Sequence, residues 1–142
     1  RLPIVIARPF NYTGVGQSES FLLPKIAAHI RRQESVIQLG NLDVSRDFSD
    51  VRAVAEAYRR LIEVNPIGAT VNVCSGRATS LREVLTLACQ ISGHEIGVEV
   101  NTAFVRTNEV RKLCGDNSHL RSLIGNIEAP TLVDTLRWMI GV

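Results

Sequence analysis

Leu2-Pro3-Ile4-Val5-Ile6-Ala7, running directly into Arg8-Pro9-Phe10-Asn11-Tyr12-Thr13-Gly14-Val15-Gly16-Gln17, decides the reading of the fold. The first six residues form a continuous β-rich apolar run. Such a run fits a strand buried on both faces, as in a parallel sheet. The segment from Asn11 to Gln17, with Gly14 and Gly16, reads as a loop. A polar loop leaving the carboxyl end of a buried strand is where open α/β sheets bind ligands.

Working outward, strands and helices alternate. Ser18 or Ser20 is placed to cap a helix with Leu22, Leu23, Ile26 and Ile30 inward, and Pro24 must fall in its first turns. Val36 to Leu39 is a short strand closed by Gly40-Asn41. Val51, Val54, Ala55, Tyr58, Leu61 and Ile62 follow helical spacing after Ser49 or Asp50, with Asn65-Pro66 as the stop. Thr70 to Val73 reads as a strand. Ser80-Leu81-Arg82-Glu83 is a capping box opening a helix that Gly93 closes. Val98 and Val100 alternate on another strand. A short helix starts at Asn117 or Ser118 and ends near Gly125, and Thr131 caps a last one. The class is therefore α/β, with the first strand and the Val71 strand suited to a large parallel sheet and the rest to a smaller cap lobe.

A chain of 142 residues is one domain's worth, enough to bury roughly two thirds of its unfolded surface. Its 45% hydrophobic and 21% charged residues are ordinary for a globular domain. No apolar run approaches the ~20 residues of a membrane span. The net charge of +2 is spread along the chain. Arg31-Arg32, Arg59-Arg60 and Arg111-Lys112 read as solvated helix faces rather than a nucleic-acid patch. Aromatic residues at 5% leave little for base stacking. Cys74, Cys89 and Cys114 form no C-x-x-C, so they suggest neither zinc nor a disulfide framework and fit a reducing, cytoplasmic compartment. Arg1 opens directly into the apolar run, so residues 1–142 are expected to be the C-terminal portion of a longer protein.

The catalytic inventory is thin. No glycine-rich dinucleotide fingerprint, G-x-S-x-G or H-E-x-x-H is present. Tyr12 and Tyr58 are the tyrosines, and the positions four residues on are Gly16 and Ile62 rather than lysine. Three polar segments remain. Asn11 is either a turn former or a ligand-facing amide carrying donor and acceptor. Arg46, between Asp43 and Asp47, is either an exposed ion pair of little energetic weight or a forked guanidinium suited to phosphate. Arg106 and Glu109, one turn apart, either pair with each other or hold an oxyanion and vicinal hydroxyls.

Taken together, these segments resemble the extended short-chain dehydrogenase/reductases that act on GDP-sugars. Arg8-Pro9-Phe10-Asn11-Tyr12-Thr13-Gly14 with Gly16-Gln17 resembles the R-P-F-N-H-T-G-P-G-Q signature. Gly40-Asn41-Leu42-Asp43, then Arg46-Asp47-Phe48 and Asp50-Val51, is similar to G-N-L-D-x-x-R-D-F-x-D-V. Asn72 to Gly76 resembles Y-N-V-C-S-G, Arg106 to Val110 resembles R-P-x-E-V, and Gly115 to Ser118 is G-D-N-S. The order and spacing agree over nearly all 142 residues. GDP-4-dehydro-6-deoxy-D-mannose reductases are the nearest branch and GDP-mannose 4,6-dehydratases the next. Departures from the pattern are Tyr12 for His, Val15 and Thr107 for Pro, and Asn126 for the Trp that follows Gly125.

The resemblance implies an α/β fold with the last strands of a Rossmann-type parallel sheet plus the smaller α/β substrate-binding lobe. This half acts on a GDP-sugar, with no nucleic-acid or membrane partner and a homodimeric full-length enzyme. It implies that Asn11 meets the pyrophosphate and sugar, Leu22 and Lys25 border guanine, Arg46 and Arg106 hold the diphosphate, and Glu109 holds the ribose hydroxyls. It places Arg8, Pro9 and Phe10 against an NADP or NAD cofactor bound mainly by a preceding N-terminal portion, which would also carry the catalytic Tyr and Lys. A dehydratase or epimerase of the same group is the alternative enzyme, and a stand-alone nucleotide-binding module the alternative of another class.

Overall fold

The computed structural model describes residues 2–105 and 108–142. Strand β1 (Ile6–Pro9) runs parallel to β5 (Thr70–Val73), with Ile6 opposite Thr70 and Pro9 opposite Val73. Strand β2 (Asn11–Thr13) runs parallel to the second half of β4 (Ser45–Asp50). The first half of β4 pairs antiparallel with β6 (Ala78–Ser80) and parallel with β8 (Lys112–Leu113). A third parallel pair joins β3 (Val36–Leu39) to β7 (Gly97–Val100). The α/β class and its parallel pairing match the sequence reading.

Among the described residues, five α-helices cover these strands: α1 (Leu22–Arg31), α2 (Val51–Val64), α3 (Leu81–Ser92), α4 (Ser118–Ile124) and α5 (Leu132–Ile140). They divide the interior in two. Leu23, Ile26 and Ile30 of α1 meet Ile37 of β3, Val84 and Ala88 of α3, and Leu136 and Met139 of α5. Val54, Ala57 and Leu61 of α2 meet Val71 and Val73 of β5 and Leu120 and Ile124 of α4. Burying each such branched side chain contributes about 1.5–3 kcal/mol. Strand β4 lies between the two clusters, with Phe48 packed on the first and α2 continuing from its end into the second.

Several local expectations change. Helix α1 is preceded by Phe21, without a side-chain cap. Ser18 instead accepts from the Ser20 amide at 3.2 Å, so these serines close a turn of their own. Ser80 accepts from the Glu83 amide, but both halves of a capping box are present at Thr131 and Asp134. The apolar stripe of α2 is wider than its buried face: Ala57 replaces Ala55 inward, and Ile62 is 79% exposed. The run Leu2 to Ala7 enters a strand only at Ile6, and Leu2 is 77% exposed. Ile4 and Ile6 are exposed as well, so the run is not buried on both faces, and among the described residues β1 has one strand neighbour, β5. Leu2, Ile4 and Ile6 form one open apolar face with Ile67, while Pro3, Val5 and Ala7 face Tyr58 and Leu61. None of the described helices is long and apolar enough to cross a membrane.

Asp50 joins α2 to α5. Its fully buried side chain accepts from the Arg52 amide at 2.8 Å, from Arg52 Nε and Nη2 at 2.9 and 2.7 Å, and from Thr135 Oγ1 at 2.7 Å. Burial alone raises a carboxyl, but the bonds from Arg52 and Thr135 outweigh it and hold Asp50 below the usual aspartate range. A depressed folded-state value adds stability that is complete above the unfolded value of about 4 and is lost as pH falls through the folded one. Asp50→Ala is expected to cost about 2 kcal/mol near neutral pH, through loss of the cap and of the bonds that Arg52 and Thr135 donate to the carboxylate. The deficit relative to wild type should shrink below about pH 4. Urea denaturation at pH 7 and pH 3 checks this; an equal deficit at both values would contradict it.

Candidate functional site: a buried carboxylate behind an arginine rim

Two loops converge on Asp47 of β4, which is 0% exposed. Oδ1 accepts from the Ser75 amide at 2.8 Å and the Ser75 hydroxyl at 2.6 Å. Oδ2 accepts from the Gly76 amide at 2.9 Å and the Gly115 amide at 3.1 Å. A buried carboxylate is costly unless its lone pairs are filled, and here hydrogen-bond donors from two loops fill them. Asp47 thereby clamps the turn after β5 and the turn after β8 onto β4. Gly115 fits this clamp because an ideal Cβ there would lie 2.4 Å from Cys74 Sγ and 3.0 Å from Phe10 Cζ. Burial, reinforced by the Asp47 charge, pushes the Cys74 thiol up to about 11, so it stays protonated and acts as packing.

Strand alternation turns Arg46 to the face opposite Asp47. Its guanidinium donates to the Ser45 carbonyl at 2.9 Å, the Val110 carbonyl at 2.7 Å and Glu109 Oε1 at 3.3 Å. The two open readings of Arg46 and of Glu109 thus meet in one mostly buried pair. Neither flanking aspartate serves Arg46: Asp43 accepts from Arg82, and Asp47 takes the loop donors. Glu109 Oε2 is buried and has no hydrogen-bond partner among the described residues. Arg106 lies outside the described residues, so its implied place beside the diphosphate stays an expectation.

Asn11 and Leu22 line one cavity of about 270 Å³. Its walls come from β2, the first turn of α1, Gln17 and Phe48, which stands two residues after Arg46 on β4. Asn11 Nδ2 donates to the Asp47 carbonyl at 3.3 Å, which ties the cavity wall to the clamped strand. Contrary to the loop reading, residues 11–13 form strand β2, because β4 supplies the pairing that their polar sequence does not advertise. Lys25 stands one turn beyond Leu22, on α1. Its ammonium donates to the Gln38 carbonyl at 2.6 Å and lies 4.8 Å from the centre of the Phe104 ring. Arg8 and Pro9 are exposed at the carboxyl end of β1, and Phe10 is half-buried, its amide bonded to Val73. The structure therefore joins Asn11 with Leu22 and Phe10 around one cavity, and Arg46 with Glu109, and leaves Lys25, Arg8 and Pro9 apart from both. No metal-binding group of His, Cys, Asp or Glu occurs among the described residues.

Sequence reasoning missed Asp47 as the organising residue, together with Ser75, Gly76 and Gly115 as its partners. An acidic residue flanking an arginine invites pairing with it, and only the fold shows the carboxylate pointing the other way. Because the Gly115 turn is seated directly on Cys74 and Phe10, Gly115→Ala must displace one of them, at a cost of about 1–3 kcal/mol. A thermal midpoint equal to wild type would show that this turn is not seated on Cys74.

With that geometry in place, comparison with known proteins is specific. Residues 1–139 match the family model described as GDP-mannose 4,6 dehydratase. The chain is 37% identical over 123 residues to GDP-6-deoxy-D-talose 4-dehydrogenase of Aggregatibacter actinomycetemcomitans, covering 87% of this chain and 42% of that protein. It is 36% identical to GDP-6-deoxy-D-mannose reductase of Pseudomonas aeruginosa, covering 94% of this chain and 46% of the relative. Among solved structures, a Burkholderia cenocepacia J2315 protein named provisionally as an epimerase superposes with a TM-score of 0.96 at 57% identity, covering 99% of this chain and 46% of that one. The RMD protein of Pseudomonas aeruginosa, complexed with NADPH, gives a TM-score of 0.90 at 34% identity, covering 98% of this chain and 48% of that one. The chain thus spans less than half the length of these relatives, and over nearly all of its own length it belongs to the GDP-mannose 4,6-dehydratase family.

Proposed function

We propose that residues 1–142 form the GDP-sugar-binding half of a nucleotide-sugar oxidoreductase that reduces the C4 keto group of GDP-4-dehydro-6-deoxy-D-mannose. The observation that carries this reading is the pair that Glu109 makes with Arg46, which stands on the strand whose Phe48 also lines the Asn11 cavity. A guanidinium held by one carboxylate oxygen and two carbonyls keeps its orientation while empty and can exchange those contacts for forked bonds to phosphate. Glu109, released from Arg46, accepts from ribose hydroxyls. Asn11 offers donor and acceptor to the pyrophosphate and sugar, Arg106 adds the second cation, and Leu22 with Lys25 borders the guanine. The relatives named for 6-deoxy-hexose reductase and dehydrogenase activity support a keto-reduction.

Among the described residues, Arg8, Pro9 and Phe10 offer only an edge to a nicotinamide cofactor. An exposed guanidinium and proline at a strand's carboxyl end fit one side of a dinucleotide, not a whole cradle. Bound NADPH or NADH would supply hydride to C4. The rest of its site, and the Tyr and Lys that deliver the proton to O4, belong in this reading to chain outside residues 1–142. That portion would cover the open apolar faces of β1, and the complete enzyme is a homodimer. What these residues contribute is orientation and diphosphate binding energy. A dehydratase of the same family is the second reading, favoured by the family model and by 28% identity to GDP-mannose 4,6 dehydratase 2 of Caenorhabditis elegans.

Titration calorimetry of the full-length enzyme with GDP tests the proposal. A charge-assisted hydrogen bond contributes about 1.5–3 kcal/mol, so Arg46→Ala should weaken GDP binding by roughly one to two decades. Arg46→Lys should recover part of the loss, since a point charge cannot fork. Equal affinities in folded wild type and Arg46→Ala would overturn the placement of the diphosphate.

A further inference from the structure

Helix α5 carries the one tryptophan of the sequence. Its neighbours Leu136, Met139 and Ile140 are buried, whereas Trp138 is 39% exposed. Core filling therefore falls to those residues, and Trp138 is engaged elsewhere. The Arg52 guanidinium sits 4.1 Å from the centre of its ring. That guanidinium is itself fixed by two bonds to Asp50, which also holds Thr135 on the same helix as Trp138. The edge of the ring meets the turn after β2. An ideal Cβ on Gly14 would lie 3.0 Å from Trp138 Cζ3 and 2.5 Å from Val51 Cγ1, so the Gly14 backbone rests directly on both side chains.

The turn that rests there forms one wall of the Asn11 cavity. Thr13 Oγ1 donates to Gln17 Oε1 at 2.8 Å and lies 3.5 Å from Met139 Sδ. Gln17 Nε2 returns a bond to the Tyr12 carbonyl at 3.3 Å. Tyr12, Thr13 and Gln17 all line the cavity, whereas Trp138 does not. The turn is thus internally bonded; the pairing of Tyr12 and Thr13 with Ser49 and Asp50 holds its near end, and its seat holds the Gly14 end.

We infer that Trp138 is a positioning residue for the GDP-sugar: the stack of Asp50, Arg52 and Trp138 sets the place of the Gly14 turn, and through it the spacing of the cavity wall. A flat ring is suited to this because its face takes a cation and its edge takes a backbone, whereas an aliphatic side chain offers no face to the guanidinium. This rests on the reading that the cavity takes a GDP-sugar.

The test is calorimetric titration of GDP-mannose into the full-length enzyme, with NADPH affinity measured in parallel. Trp138→Ala should weaken GDP-mannose binding about tenfold, within the span that residues acting through a network impose, and should leave NADPH affinity unchanged. Trp138→Phe, which keeps a face and an edge, should restore most of the loss. Arg52→Met should also weaken binding, and its effect should not add to that of Trp138→Ala, because both act through one seat. Should Trp138→Ala fail to fold, Trp138→Leu carries the test: it keeps bulk and helix propensity but has no ring face, and it should bind more weakly than wild type. Wild-type affinity in a folded Trp138→Ala or Trp138→Leu protein would overturn the inference and leave the GDP-sugar reading standing. No binding of GDP-mannose by wild type would overturn both.

Discussion

A carboxylate buried at full depth between two hydrophobic clusters is the constraint on which the rest of this structure depends. Asp47 cannot remain buried unless its oxygens are filled, and the donors that fill them come from the Ser75-Gly76 turn and from Gly115. Satisfying one charge therefore fixes two turns against β4. The same strand then places Arg46 on its other face, Phe48 in the cavity wall, and Asp50 at the head of α2. Two carboxylates three residues apart do different work: Asp47 holds loops, and Asp50 holds helices.

The site sits at a junction for a physical reason. Packed clusters are stiff, and polar groups anchored between them inherit that stiffness. Asn11 is tied to the clamped strand through the Asp47 carbonyl, and the Gly14 turn is seated on α5. The Arg46 guanidinium bonds three acceptors before any ligand arrives. Such pre-arrangement lowers the ordering cost of binding. The open apolar faces of β1 contrast with this, since nothing among the described residues covers Leu2 or Ile4.

Much of this was legible from residue order. Helices α2, α3 and α5 announce themselves by periodic apolar residues and by caps at Asp50, Ser80 and Thr131, whereas Asn117 precedes α4 without a side-chain cap and donates to the Cys74 carbonyl. Strands β3 and β5 are apolar enough to be read directly. Strands β2, β4 and β6 are not: Asn11-Tyr12-Thr13, Ser45 to Asp50 and Ala78-Thr79-Ser80 are polar and short, and they are strands because of what pairs with them. Family resemblance singled out Arg46 and Glu109 as expected ligand-facing groups but did not indicate their mutual contact, which spans 63 positions. The partners of Asp47 lie 28 to 68 positions away, beyond any local pattern. A charge between charges reads as a surface group until the fold shows what encloses it.

The central claim is that Asp47 pins the two turns, and amide hydrogen exchange of Ser75, Gly76 and Gly115 measures it most directly. Asp47→Asn keeps the shape but puts an NH2 where an oxygen accepted, so at least one of the donors now facing it loses its partner, at a cost of about 1–3 kcal/mol. Since local opening sets exchange, the account predicts that these amides exchange faster in Asp47→Asn by about one to two decades, while amides within α3 keep their wild-type protection. Unchanged protection at all three positions in Asp47→Asn would contradict it.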